Sequence, residues 1–227
     1  HPTALGGGEL LFERVAGVLL PDSDLRPRRL LCLDDALAVA DVEFGAPLQQ
    51  LLQALAQHLE LEATHLQAAP GESLSDWRQV YATAGAYEGW QTHGAWIREH
   101  RPVFGAAVAA RWQAASQVST QAAAAARDQA ARIRTQVSAL LGDDGLAVLP
   151  SAASLAPLRD ADPASVDAVR LRTMAITCIA GLAWLPQVSV PLATPQGEPL
   201  GVSLLGPAGS DRALVRLAVK LARAVAS

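Results

Sequence analysis

Several absences narrow what this chain can be. No stretch reaches about eighteen uninterrupted apolar residues, so no membrane-spanning helix is expected. The N-terminus carries no basic region followed by an apolar run, so a secretory signal peptide is not supported either. Positive charge is scarce and scattered: 18 Lys and Arg stand against 22 Asp and Glu, a net charge of −4. The one tight cluster, Arg26, Arg28 and Arg29, flanks Pro27 and reads as a solvated loop, so a nucleic-acid partner is not expected. There are only two cysteines, Cys32 and Cys178, far apart and in apolar surroundings. They are expected to be free buried thiols of a cytoplasmic protein. Lysine is nearly absent, with Lys220 the single example.

What is present is the material of a core. Hydrophobic residues make up 51% of the chain and charged ones 18%, which describes a globular protein able to bury a core, with residues 1–227 having room for one sizeable domain or a portion of one. Helix-like and strand-like stretches alternate, the pattern of an α/β fold with a mixed β-sheet flanked by helices. Helical spacing runs through 10–20, with Leu11, Val15, Val18 and Leu19 on one side and Pro21 as the stop. Residues 29–33 form a continuous apolar strand expected to be buried on both faces. Residues 44–59 return to helical spacing, and 61–66 fit a strand. A helix is expected over 73–100, capped by Ser73 or Ser75, and Pro102 ends that stretch. A single long helix is expected over 104–141, because the alanine run beginning at Ala122 has the best helix propensity. Residues 146–149 read as a strand, 151–162 as an irregular surface loop, and 163–181 as a helix opened by Pro163. Two strands, 187–190 and 201–205, flank a Gly/Pro turn, and Ser210 or Asp211 caps a last amphipathic helix.

Candidate chemistry is sparse. Ser151 and Ser154 follow a strand end, but neither lies in a Gly-x-Ser-x-Gly turn with an activating base, so neither is expected to be a nucleophile. That loop is still placed to line a substrate mouth. His93 and His100 are seven residues apart on one helix, too far for chelation from adjacent turns. His58 and His65 lie in different elements with no carboxylate at ligand spacing, so no metal is expected. The pairs Asp34-Asp35 and Asp143-Asp144 fall at element ends, where such residues make turns and caps. Trp77, Tyr81, Trp90 and Trp96, at helical spacing, are expected in the core.

One resemblance is specific. Leu185-Pro186-Gln187-Val188-Ser189-Val190-Pro191, followed by Gly197, Pro199, Gly201 and Gly206, resembles the C-terminal segment of the amidase signature family. The stretch from Tyr87 to Gly105, with Trp90, His93, Trp96 and Pro102, is similar to its indole-3-acetamide hydrolase-like branch, and Arg29 to Asp35 fits as a strand end. The resemblance implies an amidase-signature-like fold of which this is the C-terminal part of the sheet. It also implies carboxamide hydrolysis by a serine nucleophile, a bridging serine and a lysine, without metal or organic cofactor.

Those groups belong to the family's N-terminal half. This chain has no Gly-Gly-Ser-Ser run, and residues 1–8 are glycine-rich without serine. The nucleophile and lysine are therefore expected outside this chain, which alone is expected to be inactive. Cys178, Ile179, Gly181, Leu182 and Trp184 are the expected acyl-pocket residues, with Gly181 suited to a chain reversal. The Trp184 indole is expected to flatten that pocket in favour of small or planar substrates. Expected partners are a small-molecule amide and either a second copy or the missing N-terminal half. The alternatives are a non-catalytic amidase-like binding module, or an oligomerising scaffold built on the alanine-rich helix.

Overall fold

The computed structural model describes residues 8–226. Five strands are formed there: β1 Arg29–Leu33, β2 Ala63–Leu66, β3 Gly145–Pro150, β4 Gln187–Ala193 and β5 Pro199–Leu205. They make one mixed sheet in the order β2-β1-β3-β5-β4. β2, β1 and β3 are parallel, while β5 runs antiparallel to β3 and pairs antiparallel with β4. The helices are α1 Gly8–Leu19, α2 Asp34–Val39, α3 Gly45–Leu59, α4 Leu74–His100, α5 Ala106–Ser116, α6 Thr120–Leu141, α7 Pro163–Ala183 and α8 Asp211–Ala226. The expected α/β class is found, a mixed sheet with helices on both faces.

Alternation along the strands sorts the core into two layers. Leu31 and Leu33 of β1, with Ala147 and Leu149 of β3, pack toward α2, α4, α6 and α7. Leu30, Cys32, Leu146, Val148, Val202 and Leu204 pack toward α3 and α8 on the other face. β1 and β3 are apolar at nearly every position because both faces are covered. Each buried leucine removed from water contributes about 1.5–3 kcal/mol. β4 is an edge strand, and Pro191, which cannot donate to a ladder, is tolerated there.

Four details differ from the sequence reading. The long 104–141 helix is two helices: at Ser119 the backbone turns extended, and its hydroxyl accepts the Ala122 N–H at 3.1 Å to start α6 afresh. The apolar residues of α1 face outward, with Leu11, Val15, Val18 and Leu19 exposed, while Ala16 is buried and Gly17 lies against Arg212 of α8. The first turn of α8 is capped from far away. Ser23 accepts the Ala213 N–H at 3.0 Å, whereas the Ser210 hydroxyl donates to the Pro207 carbonyl. Finally, Gly181 is an interior residue of α7, and the left-handed residue ending that helix is Trp184, with φ of 59°. Residues 1–7 of the glycine-rich opening lie outside the described residues.

Candidate functional site

The carboxyl ends of the parallel strands form one rim of the sheet, where open α/β folds place their ligands. β1 delivers Asp34 and Asp35 to this rim. Asp35 accepts the N–H groups of Ala36, Ala68 and Ala69 at 3.0, 3.0 and 2.9 Å, which ties the segment after β2 to the end of β1. Asp34 meets His65 of β2, with Oδ1 to Nδ1 at 2.7 Å. This is the carboxylate partner that sequence spacing had not given to His65, because parallel pairing brings it across from Cys32. Burial pushes the Cys32 thiol up to about 12, helped by the charge and hydrogen bond of Asp34. At the opposite end of the sheet, Asp144 pairs with Arg29 at 2.9 Å, the structural role expected for it.

β3 delivers Ser151 to the same rim, at the start of the 151–162 loop. Its hydroxyl lies 2.7 Å from that of Ser203 on β5 and 2.9 Å from that of Ser189 on β4. Ser189 and Ser203 are 3.2 Å apart, and Gln187 Nε2 donates to Ser203 at 2.9 Å. Sequence reading found Ser151 but not its partners, which lie 38 and 52 residues away. The close approach is possible because Gly201 has no side chain: a Cβ there would meet the Ser151 Oγ at 2.9 Å. Strand alternation puts these serines on the α7 side of the sheet. Lys220 belongs to α8, which packs on the other face. The hydrogen bonds resolved for the three hydroxyls therefore end on one another and on an amide, with no proton acceptor among them. Such a cluster orients hydroxyls; it does not activate one. Ser154 donates to the Leu155 carbonyl at 2.6 Å and also meets no base.

The C-terminal turn of α7 leads into β4. Of the expected pocket residues, Cys178, Ile179 and Leu182 are buried in the core between α7 and the sheet. Burial also raises Cys178 to about 12, a thiol held neutral. Gly181 and Trp184 are exposed. A Cβ at Gly181 would meet Tyr81 at 2.9 Å, and Tyr81 in turn lines a groove of about 690 Å³ between α4, α5 and α7. Its wall is apolar and aromatic, with Val108, Trp112 and Met174, and Arg78, Arg111 and Arg170 supply positive charge. Trp184 is 73% exposed, and the Arg134 guanidinium lies over its indole.

The other expectations resolve locally. Trp77 is core, its indole N–H donating to Glu72. Trp90 packs against Trp112, His93 meets Trp112 edge-on, and His100 stacks on Trp96, which is itself half exposed. Among the described residues no helix is long and apolar enough to cross a membrane.

Comparison with known proteins bears on this architecture. No family model matches the chain. Over 130 residues it is 34% identical to Amidase 1 of Arabidopsis thaliana, covering 57% of this chain and 31% of that protein. It is 24% identical over 212 residues to the Translocon at the outer membrane of chloroplasts 64 of Pisum sativum, covering 83% of this chain and 36% of that protein. A crystal structure of an amidase superimposes with a TM-score of 0.74 at 21% identity, over 95% of this chain and 50% of that one. A bacterial aryl acylamidase of the amidase signature family does so with a TM-score of 0.70 at 16% identity, over 88% and 44%. The chain is thus amidase-signature-like in fold, and it spans about a third of the length of these two curated relatives.

Proposed function

We propose that this amidase-signature-like chain is the scaffold and acyl-pocket wall of a carboxamide hydrolase whose nucleophilic serine, bridging serine and lysine lie outside residues 1–227. The observation that carries this reading is the 34% identity to Amidase 1, which extends over more than half of the chain. The site chemistry agrees with it. The Ser151, Ser189 and Ser203 hydroxyls have no base among their partners, and the one lysine belongs to the opposite face of the sheet. In the reaction a serine attacks the amide carbonyl, backbone N–H groups hold the oxyanion, and the lysine relays a proton through the second serine. Ammonia leaves and water releases the acid. This chain provides the surface against which the acyl group lies: Gly181 and Trp184 at the end of α7, backed by the buried Cys178, Ile179 and Leu182. The contact of Tyr81 with Gly181 joins that surface to the groove between α4, α5 and α7. The substrate class is a small linear amide, and the setting is the cytoplasm.

The test compares residues 1–227 with the complete reading frame that contains them, following ammonia release from short aliphatic and aryl carboxamides. The complete frame hydrolyses them and residues 1–227 do not. Within the active protein, Trp184→Gly shifts the preference from small and planar amides toward bulky ones. Glycine suits the left-handed φ at this position, so the change does not unfold the protein. An unchanged ranking of substrates removes Trp184 from the pocket.

A second reading is an amidase-like module that binds without catalysis. The similarity to the chloroplast translocon component, which covers more of this chain than the Amidase 1 match does, favours it. A complete reading frame without hydrolytic activity, and without a lysine and a Gly/Ser loop upstream, decides for this reading.

A further inference from the structure

Cys32 lies on β1 and Asp34, two residues later, opens α2, where the strand gives way to the helix. His65 on β2 stands opposite Cys32 in the parallel register and reaches the same place from the neighbouring strand. The Sγ of Cys32, a carboxylate oxygen of Asp34 and a ring nitrogen of His65 all lie within 4.8 Å of one another. Four donors around a tetrahedral zinc are separated by roughly 3.4 Å, given bonds of about 2.0–2.3 Å. Closing the trio to that spacing asks for side-chain rotation of the half-exposed carboxylate and imidazole. Cys32 is fully buried while Asp34 and His65 are half exposed, so an ion has an approach from solvent and a rigid floor.

We propose that Cys32, Asp34 and His65 form a three-donor site for a tetrahedral, borderline-soft divalent cation of the Zn(II) type, with water as the fourth ligand. The donor set selects the metal. One thiolate, one imidazole and one carboxylate suit Zn(II) or Co(II), whereas Mg(II) and Ca(II) require a shell of oxygens. The charges balance as well. The thiol gives up its proton on binding, and thiolate and carboxylate together neutralise the cation. The ion replaces the direct Asp34–His65 hydrogen bond with two bonds to metal and clasps the four-residue edge strand β2 to β1. This inference is independent of the hydrolase reading, because a chain that cleaves no amide still binds the ion.

The experiment titrates reduced residues 1–227 with Co(II) at neutral pH. The expected result is a near-ultraviolet thiolate-to-cobalt charge-transfer band with intense visible bands of a tetrahedral ion, saturating at one equivalent and erased by one equivalent of Zn(II). Cys32→Ser loses the charge-transfer band, and Cys178→Ser keeps it. Should Cys32→Ser fail to fold, His65→Asn at the half-exposed ligand reads the same point and weakens Co(II) binding at least tenfold. The absence of a charge-transfer band at millimolar Co(II), a band that survives Cys32→Ser, or an affinity unmoved by His65→Asn overturns the proposal.

Discussion

At the scale of single residues, the buried thiol of Cys178 has the clearest solution signature. Burial raises it from its ordinary 9.0 to about 12, outweighing the opposing pull of the Arg78 charge. The unfolded chain therefore releases this proton at lower pH than the folded one. Its contribution to stability is complete below about pH 9 and is lost as pH rises toward about 12, at about 1.4 kcal/mol per pH unit. Urea midpoints measured across that range are expected to fall less steeply for Cys178→Ala than for the parent chain, whatever the offset caused by the smaller side chain. Parallel curves would show that the thiol titrates normally. Asp35 illustrates the same scale differently. Its carboxylate accepts from three backbone N–H groups, two of them on the segment after β2, so a side chain read as a turn residue is also a cross-segment tie.

At the scale of elements, the capping of α8 is the most exposed dependency. The Ala213 N–H is satisfied by Ser23, 190 residues earlier, and Asp22 beside it pairs with Arg216 and Arg212. Ser23→Ala is expected to cost about 1 kcal/mol in urea unfolding at unchanged m-value. A change of only a few tenths would mean that water serves that first turn equally well. This dependency marks the boundary of what the chain's pattern discloses. The strands 29–33 and 201–205, the helix from Leu74 to His100 and the Ser73 cap are legible because continuous apolar runs, alternation and capping chemistry are local signals. Ser23 at α8, His65 beside Asp34, and the triangle of Ser151, Ser189 and Ser203 are not legible. Each pair is created by strand register or helix docking, which single-sequence spacing does not encode. The break between α5 and α6 was hidden for the opposite reason: alanine favours helix so strongly on both sides that one serine cap was outweighed.

At the scale of the whole molecule, the described surface is unusually apolar in one place. Leu11, Phe12, Val15, Val18 and Leu19 of α1 are between 46% and 85% exposed, a contiguous stripe on one helix. The face of β4 carrying Ser189, Pro191 and Ala193 is also exposed, on an edge strand. Surfaces of this kind are covered in stable proteins or drive association. Residues 1–227 alone are expected to self-associate in sedimentation velocity as concentration rises through the micromolar range, and Val18→Glu with Leu19→Lys is expected to shift the distribution toward monomer. A single unchanging boundary for both proteins would contradict this. The pairing of β1 with β3 carries one more consequence. Arg29 and Asp144 are 115 residues apart, so at a synthesis rate of about 5–20 residues per second the ribosome needs roughly ten seconds to deliver the partner strand after the first has emerged. During that interval β1 can pair with β2 on one side but has no strand on the other. The nascent half-sheet then waits with its inner edge bare, the moment at which a chaperone has most to shield.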